Sequence, residues 1–562
     1  MLKHAAILLS LAFAAAPAAA LAQAAPATQD QAAPAPQGPP RLIVAISVDQ
    51  FSADLFAQYR PYFTGGLRRL SSGGVVFPSG YQAHAATETC PGHSTILTGS
   101  RPSRTGIIAN NWFDVTLPRE DKRVYCSEDP SAPGSSSRDN AYRVSGRFLR
   151  VPALGEYMKR LNPASRVVAV AGKDRSAIMM GGRQVDQRWW WTDRDLFNNQ
   201  NEHPASPALT AANQAIERAL GAPREAMPMP ALCEARSRIV PIEQSERPLS
   251  VGAHRFARAA GARESFRRSP ELDGATLALG MALQGEMRLG QGSATDLLIL
   301  GLASTDYVGH TYGTQGAEMC LNMLELDRAL GDFFGRLDRS GIDYMVVLTA
   351  DHGGLDIPER MRANGGVDAW RTPPELAPSA MDRAIRTAFN LPDQLLWGEG
   401  PFGDFYVSRS LSSRDRARVI AEAIRRYRAS PRVAQVFTHA ELRAAPNPSG
   451  PPESWSLLDR AKASFDPERS GDFVVLLHPR VTPIARPGPT YTATHGSPWD
   501  YDRRVPIMFW RRGMAPFEQS GSVETVDILP TLAPFLGIAI RPGTIDGRCL
   551  DLVEGPASSC RR

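Results

Sequence analysis

Four short apolar segments of this chain each run into a charged or metal-binding side chain. They are LIVAISVD, ending at Asp49; VVAVAGKDR, carrying Lys173 and Arg175; DLLILGLASTD, ending at Asp306; and MVVLTADH, ending at Asp351 and His352. Short β-rich runs that are apolar throughout are typical of strands buried on both faces, as in a parallel sheet covered by helices. Ligands of such sheets bind at the carboxyl ends of the strands. The pattern therefore predicts one site that collects these side chains, with chemistry suited to metal ions and an anion.

Helical and strand-like patterns alternate along most of the chain. The strand-like runs are 166–171, 297–303, 344–349 and 505–510, and helical patterns cover 155–161, 270–289, 318–337 and 414–427. Alternation of this kind predicts an α/β fold with a doubly wound, mostly parallel sheet covered by helices. We assign this fold to residues 41–555 and expect them to form one catalytic domain.

Two intervals break the alternation, at about 183–260 and 358–485. We interpret both as insertions over the carboxyl edge of the sheet. The first contains the triplet Trp189-Trp190-Trp191, which we expect to pack the insertion, with a wall of the substrate cleft as the alternative.

The first residues have the pattern of a secretory signal peptide. Lys3 and His4 precede an Ala/Leu-rich run over 5–20, and Ala20-Leu21-Ala22 matches an A-x-A cleavage site. Residues 1–22 are therefore predicted to be removed, and the Ala/Pro/Gln-rich segment 23–40 to be unstructured. The apolar run is too short for a membrane span. Because alanine- and arginine-rich usage is typical of a bacterial source, we expect a periplasmic protein without a membrane span.

Charge and cysteine content narrow the remaining classes. The 63 basic and 58 acidic residues give a net charge of +5 without a long basic run, so we expect no nucleic-acid partner. We also expect a monomer. Six cysteines allow fifteen complete pairings. Only the pairing of Cys549 with Cys560, which are close in sequence, is favoured. No C-x-x-C motif is present, which argues against a thiolate zinc site.

Three aspartates and three histidines are candidate metal ligands. Asp306 and His310 are four positions apart, so one helical turn brings them to the same ion. Asp351 and His352 precede two glycines, which allow tight bending around a ligand. This motif taken alone favours a surface turn, and the other candidate ligands at equivalent strand ends favour a metal site. The set is completed by Asp49 and His495. Nitrogen and oxygen ligands without thiolate favour zinc, with manganese or iron as alternatives.

A hydroxyl and two cations are the candidate anion-handling groups. Thr89 precedes Pro91, which starts a helix, so its hydroxyl either caps that helix or serves as a metal-activated nucleophile at the helix N-terminus. Lys173 and Arg175 reach the same anion only if the strand opens into a loop there. Pairing with surface acids is the alternative. His93, inside the helix, is expected to pack or to orient another group.

The ordered set of motifs resembles the alkaline phosphatase superfamily. It comprises VDQ at Asp49, TETCPGHSTILTG at Thr89, GIIANN at Asn110, ASTDYVGH at Asp306 and His310, TADHGG at Asp351 and His352, and HGSPWDYDRRVPI at His495. Within the superfamily, the chain is similar to bacterial periplasmic alkaline phosphatases that use a threonine nucleophile. The resemblance spans about 41–550.

This resemblance implies two zinc ions and a role for each residue of the set. One zinc would be held by Asp306, His310 and His495, and the other by Asp49, Asp351, His352 and the Thr89 oxygen. Thr89 would attack phosphorus and form a phosphothreonine. The non-bridging phosphate oxygens would contact Asn110, or its neighbour Asn111, together with Lys173, Arg175 and the Cys90 N–H. We prefer Asn110 because its spacing from the nucleophile matches the family. The lysine would stand where better-known relatives hold magnesium, so no magnesium requirement is expected.

The leading hypothesis is an exported zinc phosphomonoesterase of broad specificity, acting on small phosphate esters and releasing inorganic phosphate. A phosphodiesterase or nucleotide pyrophosphatase on the same core is the alternative, but those relatives lack the Lys173/Arg175 pair. A noncatalytic binding module stabilised by metals is a third hypothesis, against which the complete set of reactive residues argues.

Overall fold

The structure is a computed structural model that describes residues 38–132, 143–200, 202–366, 368–555 and 557–560. The predicted signal peptide and residues 23–37 of the predicted unstructured segment lie outside these ranges. Among the helices within the ranges, none combines the length and the apolar character that crossing a membrane requires.

Twenty strands are found in the described part of the chain. In chain order they are β1 Leu42–Val48, β2 Val75–Tyr81, β3 Asn111–Phe113, β4 Arg123–Tyr125, β5 Val167–Ala171, β6 Gln187–Thr192, β7 Leu196–Asn198, β8 Val240–Pro241, β9 Ser250–Val251, β10 Asp296–Leu302, β11 Tyr344–Thr349, β12 Trp370–Arg371, β13 Leu396–Trp397, β14 Gly403–Val407, β15 Val433–Thr438, β16 Phe473–Leu477, β17 Val481–Thr482, β18 Arg504–Arg511, β19 Phe517–Glu518 and β20 Val523–Glu524.

The same ranges contain nineteen α-helices. They are α1 Ala53–Tyr59, α2 Gly66–Gly73, α3 Thr89–Ile96, α4 Pro102–Thr105, α5 Leu154–Leu161, α6 Asp174–Gly181, α7 Pro207–Leu220, α8 Ala231–Glu234, α9 Arg263–Arg267, α10 Glu271–Glu286, α11 Ser304–Tyr312, α12 Ala317–Arg339, α13 Pro358–Ala363, α14 Pro378–Phe389, α15 Ser413–Arg428, α16 His439–Ala444, α17 Leu457–Ser464, α18 Asp500–Arg503 and α19 Ile528–Leu536. Short 3₁₀ turns cover Arg60–Tyr62, Pro374–Leu376, Pro452–Ser454 and Thr525–Asp527.

A ten-stranded, mostly parallel sheet forms the centre of the molecule. Its order is β19-β2-β18-β11-β1-β10-β5-β6-β7, with β20 pairing on β2. The four strands at its middle, β11, β1, β10 and β5, are parallel neighbours. They are the four apolar runs of the sequence. The predicted α/β fold with a mostly parallel sheet is confirmed.

The apolar character of β1 follows from burial on both faces. Leu42, Val44, Ile46 and Val48 pack into a cluster with side chains of α10 and α12. The alternate residues, such as Ile43, pack into a second cluster with α5 and α19. Because side chains of a strand alternate between faces, a strand covered by helices on both sides needs apolar residues at every position.

The tryptophan triplet lies in the central sheet, and not in an insertion as expected. Trp189-Trp190-Trp191 belongs to β6, which pairs in parallel with β5. The connection between these two parallel strands contains a single short helix, α6, so β5, α6 and β6 form one β-α-β unit. Aromatic residues fit strands well, and Trp189 and Trp191 pack into the same cluster as α7 and α10.

The interval 358–485 contains a sheet of its own. Its four strands have the order β13-β14-β16-β15, and their inner faces share a separate apolar cluster with α14 and α15. This is the architecture expected of an insertion, although the domain boundaries themselves stay a prediction.

Three disulfides use all six cysteines. The predicted pair Cys549–Cys560 is confirmed, and the others are Cys90–Cys126 and Cys233–Cys320. These two join positions that are 36 and 87 residues apart in sequence, so sequence proximity gave no indication of them.

The contact between α2 and α12 depends on a glycine. A Cβ at Gly66 would lie 2.3 Å from Leu330 Cβ and 2.6 Å from the Leu330 carbonyl carbon. We expect Gly66→Ala to lower the free energy of unfolding by about 1–3 kcal/mol, because this backbone contact cannot relax by a rotamer change. Urea unfolding followed by circular dichroism measures the effect.

Gly274 in α10 is the matched control, since a Cβ there meets no atom within 4 Å. Gly274→Ala should leave stability unchanged or raise it by about 0.5–1 kcal/mol. Equal unfolding curves for wild type and Gly66→Ala would contradict the prediction.

Candidate functional site

The central strands bring the candidate residues together. Asp49 directly follows β1, Lys173 lies two positions after β5, and Asp351 lies two positions after β11. Asp306 is in the first turn of α11, which follows β10. Because these strands are parallel neighbours, their carboxyl ends share one edge of the sheet, and the predicted convergence is found there.

The ligand atoms of six candidates lie close to one another. Asp306 Oδ1 is 3.2 Å from His310 Nε2 and 3.4 Å from His495 Nε2. His352 Nε2 is 3.4 Å from Asp49 Oδ1 and 3.3 Å from Asp351 Oδ2. Two groups among the described residues have ligand atoms within 4.8 Å of one another, namely Asp306, His352 and His495, and Asp49, Asp351 and His352. His352 belongs to both groups, whereas His310 contacts the first through Asp306.

Backbone carbonyls orient all three histidines in the same sense. Nδ1 of His310 lies 2.9 Å from the Ala493 carbonyl, Nδ1 of His352 lies 2.8 Å from that of Gly353, and Nδ1 of His495 lies 2.7 Å from that of Thr87. A carbonyl only accepts, so each Nδ1 is the donor and each Nε2 keeps a lone pair for a metal. Burial also lowers the pKa values of His352 and His495, which keeps both rings neutral.

Several buried atoms at this edge have no hydrogen-bond partner. They include Thr89 Oγ1, Asp49 Oδ1 and His352 Nε2. Burial, followed by the charges of Asp306 and Asp351, raises the pKa of Asp49 well above its usual value. Unpaired buried polar groups are costly, and bound cations would satisfy them. The residues present therefore fit divalent metal ions with a preference for oxygen and nitrogen ligands.

Thr89 does not cap the helix that follows it. It is the first residue of α3, whose N-cap is Glu88, and its hydroxyl is buried. The capping alternative is therefore wrong. A Cβ at Gly92 would lie 1.9 Å from the Asp351 carbonyl oxygen, so glycine in the first turn lets α3 pack directly on the loop that carries Asp351.

The two adjacent asparagines face different surroundings. The Asn110 side-chain Oδ1 accepts a hydrogen bond from the Cys90 N–H at 2.8 Å, and the Asn110 N–H donates to Glu88 Oε2 at 2.6 Å. Asn111 Nδ2 lies 3.4 Å from Glu399 Oε1, in the inserted interval. The Cys90 N–H, expected to contact phosphate, is thus occupied by Asn110, which leaves Asn110 Nδ2 as a donor.

Lys173 lies between the two ligand groups. Its Nζ is 2.7 Å from Asp49 Oδ2 and 2.5 Å from Asp306 Oδ2, and all three side chains are buried. Burial by itself would lower the pKa of Lys173, but the charges of Asp306 and Asp49 outweigh it and raise the pKa above its usual value. The alternative of pairing with surface acids is wrong for this residue.

Arg175 is close to Lys173 because the chain leaves the strand before both residues. β5 ends at Ala171, and Lys173 is the N-cap of α6, which begins at Asp174. The strand has therefore ended before Lys173, which is the condition for Lys173 and Arg175 to reach the same anion. Burial would lower the pKa of Arg175, but Tyr125 and Asp174 raise it well above its usual value. Its guanidinium carries a charge at any working pH.

Sequence reasoning missed the residues that support these groups. Gln50 donates from its backbone N–H to Asp351 Oδ1 at 3.1 Å and from Nε2 to Asp306 Oδ1 at 3.2 Å, in a left-handed conformation with φ of 67°. Its place directly after Asp49 was the only available signal. His93 Nδ1 lies 3.0 Å from Asp351 Oδ2, as expected for a residue that orients another group.

Comparisons with known proteins agree with this geometry. The family model described as type I phosphodiesterase / nucleotide pyrophosphatase matches residues 43–498. The chain is 55% identical over 524 residues to alkaline phosphatase PhoK from Sphingomonas sp, covering 93% of each chain. It is 48% identical over 525 residues to alkaline phosphatase PhoD from Zymomonas mobilis, covering 92% of this chain and 89% of that protein. The crystal structure of wild type alkaline phosphatase PafA has the same fold, with a TM-score of 0.78, 24% identity, and coverage of 92% of this chain and 99% of that one.

Removal of divalent cations should destabilise the protein. Without the metal ions, three carboxylates stay buried close together, those of Asp49, Asp306 and Asp351. Lys173 lies at hydrogen-bonding distance from only the first two, so their negative charge is compensated in part. At a metal concentration 100 times the dissociation constant, each site contributes about 2.7 kcal/mol of stability. We expect a chelator to lower the thermal midpoint, measured by calorimetry, and added zinc to restore it. An unchanged midpoint after complete removal of metal, verified by elemental analysis, would contradict the prediction.

Proposed function

The chain belongs to the type I phosphodiesterase / nucleotide pyrophosphatase family of the alkaline phosphatase superfamily. From its similarity to two alkaline phosphatases, 55% and 48% identical to it, we propose that it is itself an alkaline phosphatase. It hydrolyses phosphate monoesters with broad specificity, depends on two zinc ions and forms a phosphothreonine on Thr89. The observation that carries the proposal is the buried Lys173, within 2.7 Å of a carboxylate from each ligand group, with Arg175 two residues further along the chain.

Thr89 is the proposed nucleophile. Its hydroxyl is buried without a hydrogen-bond partner at the start of α3, where helix N–H groups and the helix dipole favour an anion. Thr89 Oγ1 attacks phosphorus, the bond to the leaving oxygen breaks, and the alcohol departs. Water then attacks the same phosphorus and releases inorganic phosphate, restoring the hydroxyl. Two zinc ions, when bound, supply Lewis-acid stabilisation of the threonine oxygen and the leaving oxygen.

Asn110, Lys173 and Arg175 are the proposed contacts of the transferred phosphoryl group. Asn110 Nδ2 donates one hydrogen bond, and the ammonium and guanidinium add charge-assisted contacts. A monoester dianion has more charge on its non-bridging oxygens than a diester, so this pair favours monoesters. Since Lys173 supplies positive charge between the two ligand groups, no magnesium requirement is proposed.

A phosphodiesterase or nucleotide pyrophosphatase is the second candidate, favoured by the description of the family itself. The two functions share a nucleophile and metal ligands, so the Lys173/Arg175 pair is the feature that separates them. The noncatalytic hypothesis explains neither the unpartnered Thr89 hydroxyl nor the buried lysine.

Export, a periplasmic location and a monomeric state stay predictions. The first two rest on the signal-peptide pattern of residues 1–22 and on composition. We propose small phosphate esters as substrates and no nucleic-acid partner, since the net charge of +5 carries no concentrated basic run.

Replacement of both cations should reduce monoester hydrolysis selectively. Hydrogen bonds to charged groups are worth about 1.5–3 kcal/mol each, so Lys173→Ala/Arg175→Ala should lower kcat/KM for an aryl phosphate monoester by about 10²–10⁴-fold. The matching bis-aryl diester should lose about 10-fold or less. The assay uses zinc without magnesium at alkaline pH, and elemental analysis verifies that the variant still holds zinc. A wild type that prefers the diester, or equal losses for both substrates, would favour the second candidate.

Thr89→Val should abolish the covalent intermediate while keeping the side-chain shape. We expect kcat to fall by about 10⁴-fold or more, as for loss of other enzymatic nucleophiles. Acid quenching followed by mass spectrometry should find phosphate on the peptide containing Thr89 in the wild type and in Thr89→Ser, where it moves to the serine. Phosphate retained by that peptide in Thr89→Val would refute the assignment.

A further inference from the structure

Asn110 is held at three separate points. Its N–H donates to Glu88 Oε2 at 2.6 Å, its Oδ1 accepts from the Cys90 N–H at 2.8 Å, and its carbonyl oxygen accepts from the Cys126 N–H at 3.0 Å. An asparagine has one backbone donor, one backbone acceptor and a side-chain amide. Both backbone groups and the amide oxygen are thus engaged, and Nδ2 is left to contact a ligand.

The orientation of this amide decides whether the residue attracts or repels a phosphate. The two ends of an amide have nearly the same shape but opposite polarity. Rotation of the side-chain amide by half a turn would direct Oδ1 of Asn110 at the phosphoryl oxygens. The bond from the Cys90 N–H to Oδ1 prevents this, provided that the Asn110 backbone stays in place.

The Cys90–Cys126 disulfide connects two of the three anchors. Cys90 is the second residue of α3, and Cys126 directly follows β4. Asn110 directly precedes β3, which pairs with β4 in an antiparallel hairpin. The two cysteines are fully buried in one apolar cluster with Ile107, Ile108 and Trp112. The disulfide therefore ties the nucleophile helix to the hairpin that begins at Asn110.

Glu88 supplies the third anchor and makes an unusual contact for its position. It is the N-cap of α3, a position where the shorter Asp, Asn, Ser and Thr side chains commonly accept from an N–H of their own helix. Its carboxylate makes no such capping bond and instead accepts from the Asn110 N–H. A carboxylate directed away from its own helix, to the backbone of a phosphate-binding candidate, indicates a role that helix stability does not explain.

We propose that Glu88 is a positioning residue which, together with the Cys90–Cys126 disulfide, holds the Asn110 amide with Nδ2 toward the phosphoryl group. This inference rests on the proposed function, because the contact of Asn110 with phosphate is part of it. Glu88 acts through Asn110 and is not itself a catalytic residue. We call the unit of Glu88, Cys90, Asn110 and Cys126 the asparagine frame.

A double-mutant cycle tests whether Glu88 acts through Asn110. Loss of one donor of this kind costs other enzymes about 10²–10³-fold in rate, so Asn110→Ala should lower kcat/KM for an aryl phosphate by that order. Glu88→Ala should cost about 10- to 100-fold, because it frees the donor without removing it. The double variant should be no worse than Asn110→Ala. Losses that multiply, or an unaffected Glu88→Ala, would overturn the proposal.

Glu88→Gln separates hydrogen-bond acceptance from charge. Its amide oxygen can still accept from the Asn110 N–H, so kcat/KM should stay within about 3-fold of the wild type. A loss as large as that of Glu88→Ala would assign the effect to the carboxylate charge and overturn positioning.

The proposed role of the Cys90–Cys126 disulfide can be tested against a second disulfide of the same chain. Cys90→Ala/Cys126→Ala should lower kcat/KM at a temperature where the protein is folded, and should cost nothing further when Asn110 is already alanine. Cys549→Ala/Cys560→Ala removes the disulfide at the C-terminus and should change the thermal midpoint alone. Equal kcat/KM for the two double variants would overturn the role of Cys90–Cys126.

Binding of inorganic phosphate distinguishes failure of the frame from failure of the proposed function. If the wild type hydrolyses no phosphomonoester, the proposed function fails. The cycle can still be read by calorimetry, as the dissociation constant of inorganic phosphate with zinc present. Weakening by Glu88→Ala that disappears in the Asn110→Ala background supports the frame, and weakening that persists there overturns it.

Discussion

Three buried carboxylates at one edge of a sheet are the constraint on which the rest of this structure depends. Asp49, Asp306 and Asp351 are all almost fully buried, and like charges at this distance cannot all stay ionised without compensation. Lys173 provides part of the compensation, since its Nζ lies within 2.7 Å of two of them. Gln50 adds two donors. Burial lowers the pKa values of His352 and His495 and so keeps these two rings neutral, and the remaining compensation is left to cations that the ligand groups are suited to hold.

The arrangement of the sheet and the chemistry of the site are two results of one sequence pattern. Parallel strands covered on both faces must be apolar throughout, so the first polar residue after each strand is at the carboxyl edge. This is why the fold class and the convergence of Asp49, Lys173 and Asp351 could be predicted from the sequence, whereas the order of the strands in the sheet could not. The same rule did not extend to β6, because Trp189-Trp190-Trp191 followed by a charged turn resembles part of an insertion as much as a strand of the central sheet.

Contacts between distant segments were beyond sequence reasoning. The Glu88 carboxylate accepts from a residue 22 positions away, and Cys90 pairs with a partner 36 positions away. Neither spacing has a periodicity that local structure would explain. The inserted interval is similar in this respect, since Glu399 contacts Asn111 and Arg123, and Phe402 lies next to Gly496. The loop between β13 and β14 therefore contacts segments next to the candidate site, and this could not be anticipated from the sequence.

The position of Cys90 directly after the proposed nucleophile has a consequence for when a newly made chain becomes active. Thiols stay reduced in the cytoplasm and are oxidised in compartments such as the bacterial periplasm. If the asparagine frame operates as proposed, a newly made chain has an incomplete frame until the bond to Cys126 forms. Oxidation would then act as a maturation step. Before it, the protein would hydrolyse the phosphate esters inside the cell that makes it only slowly.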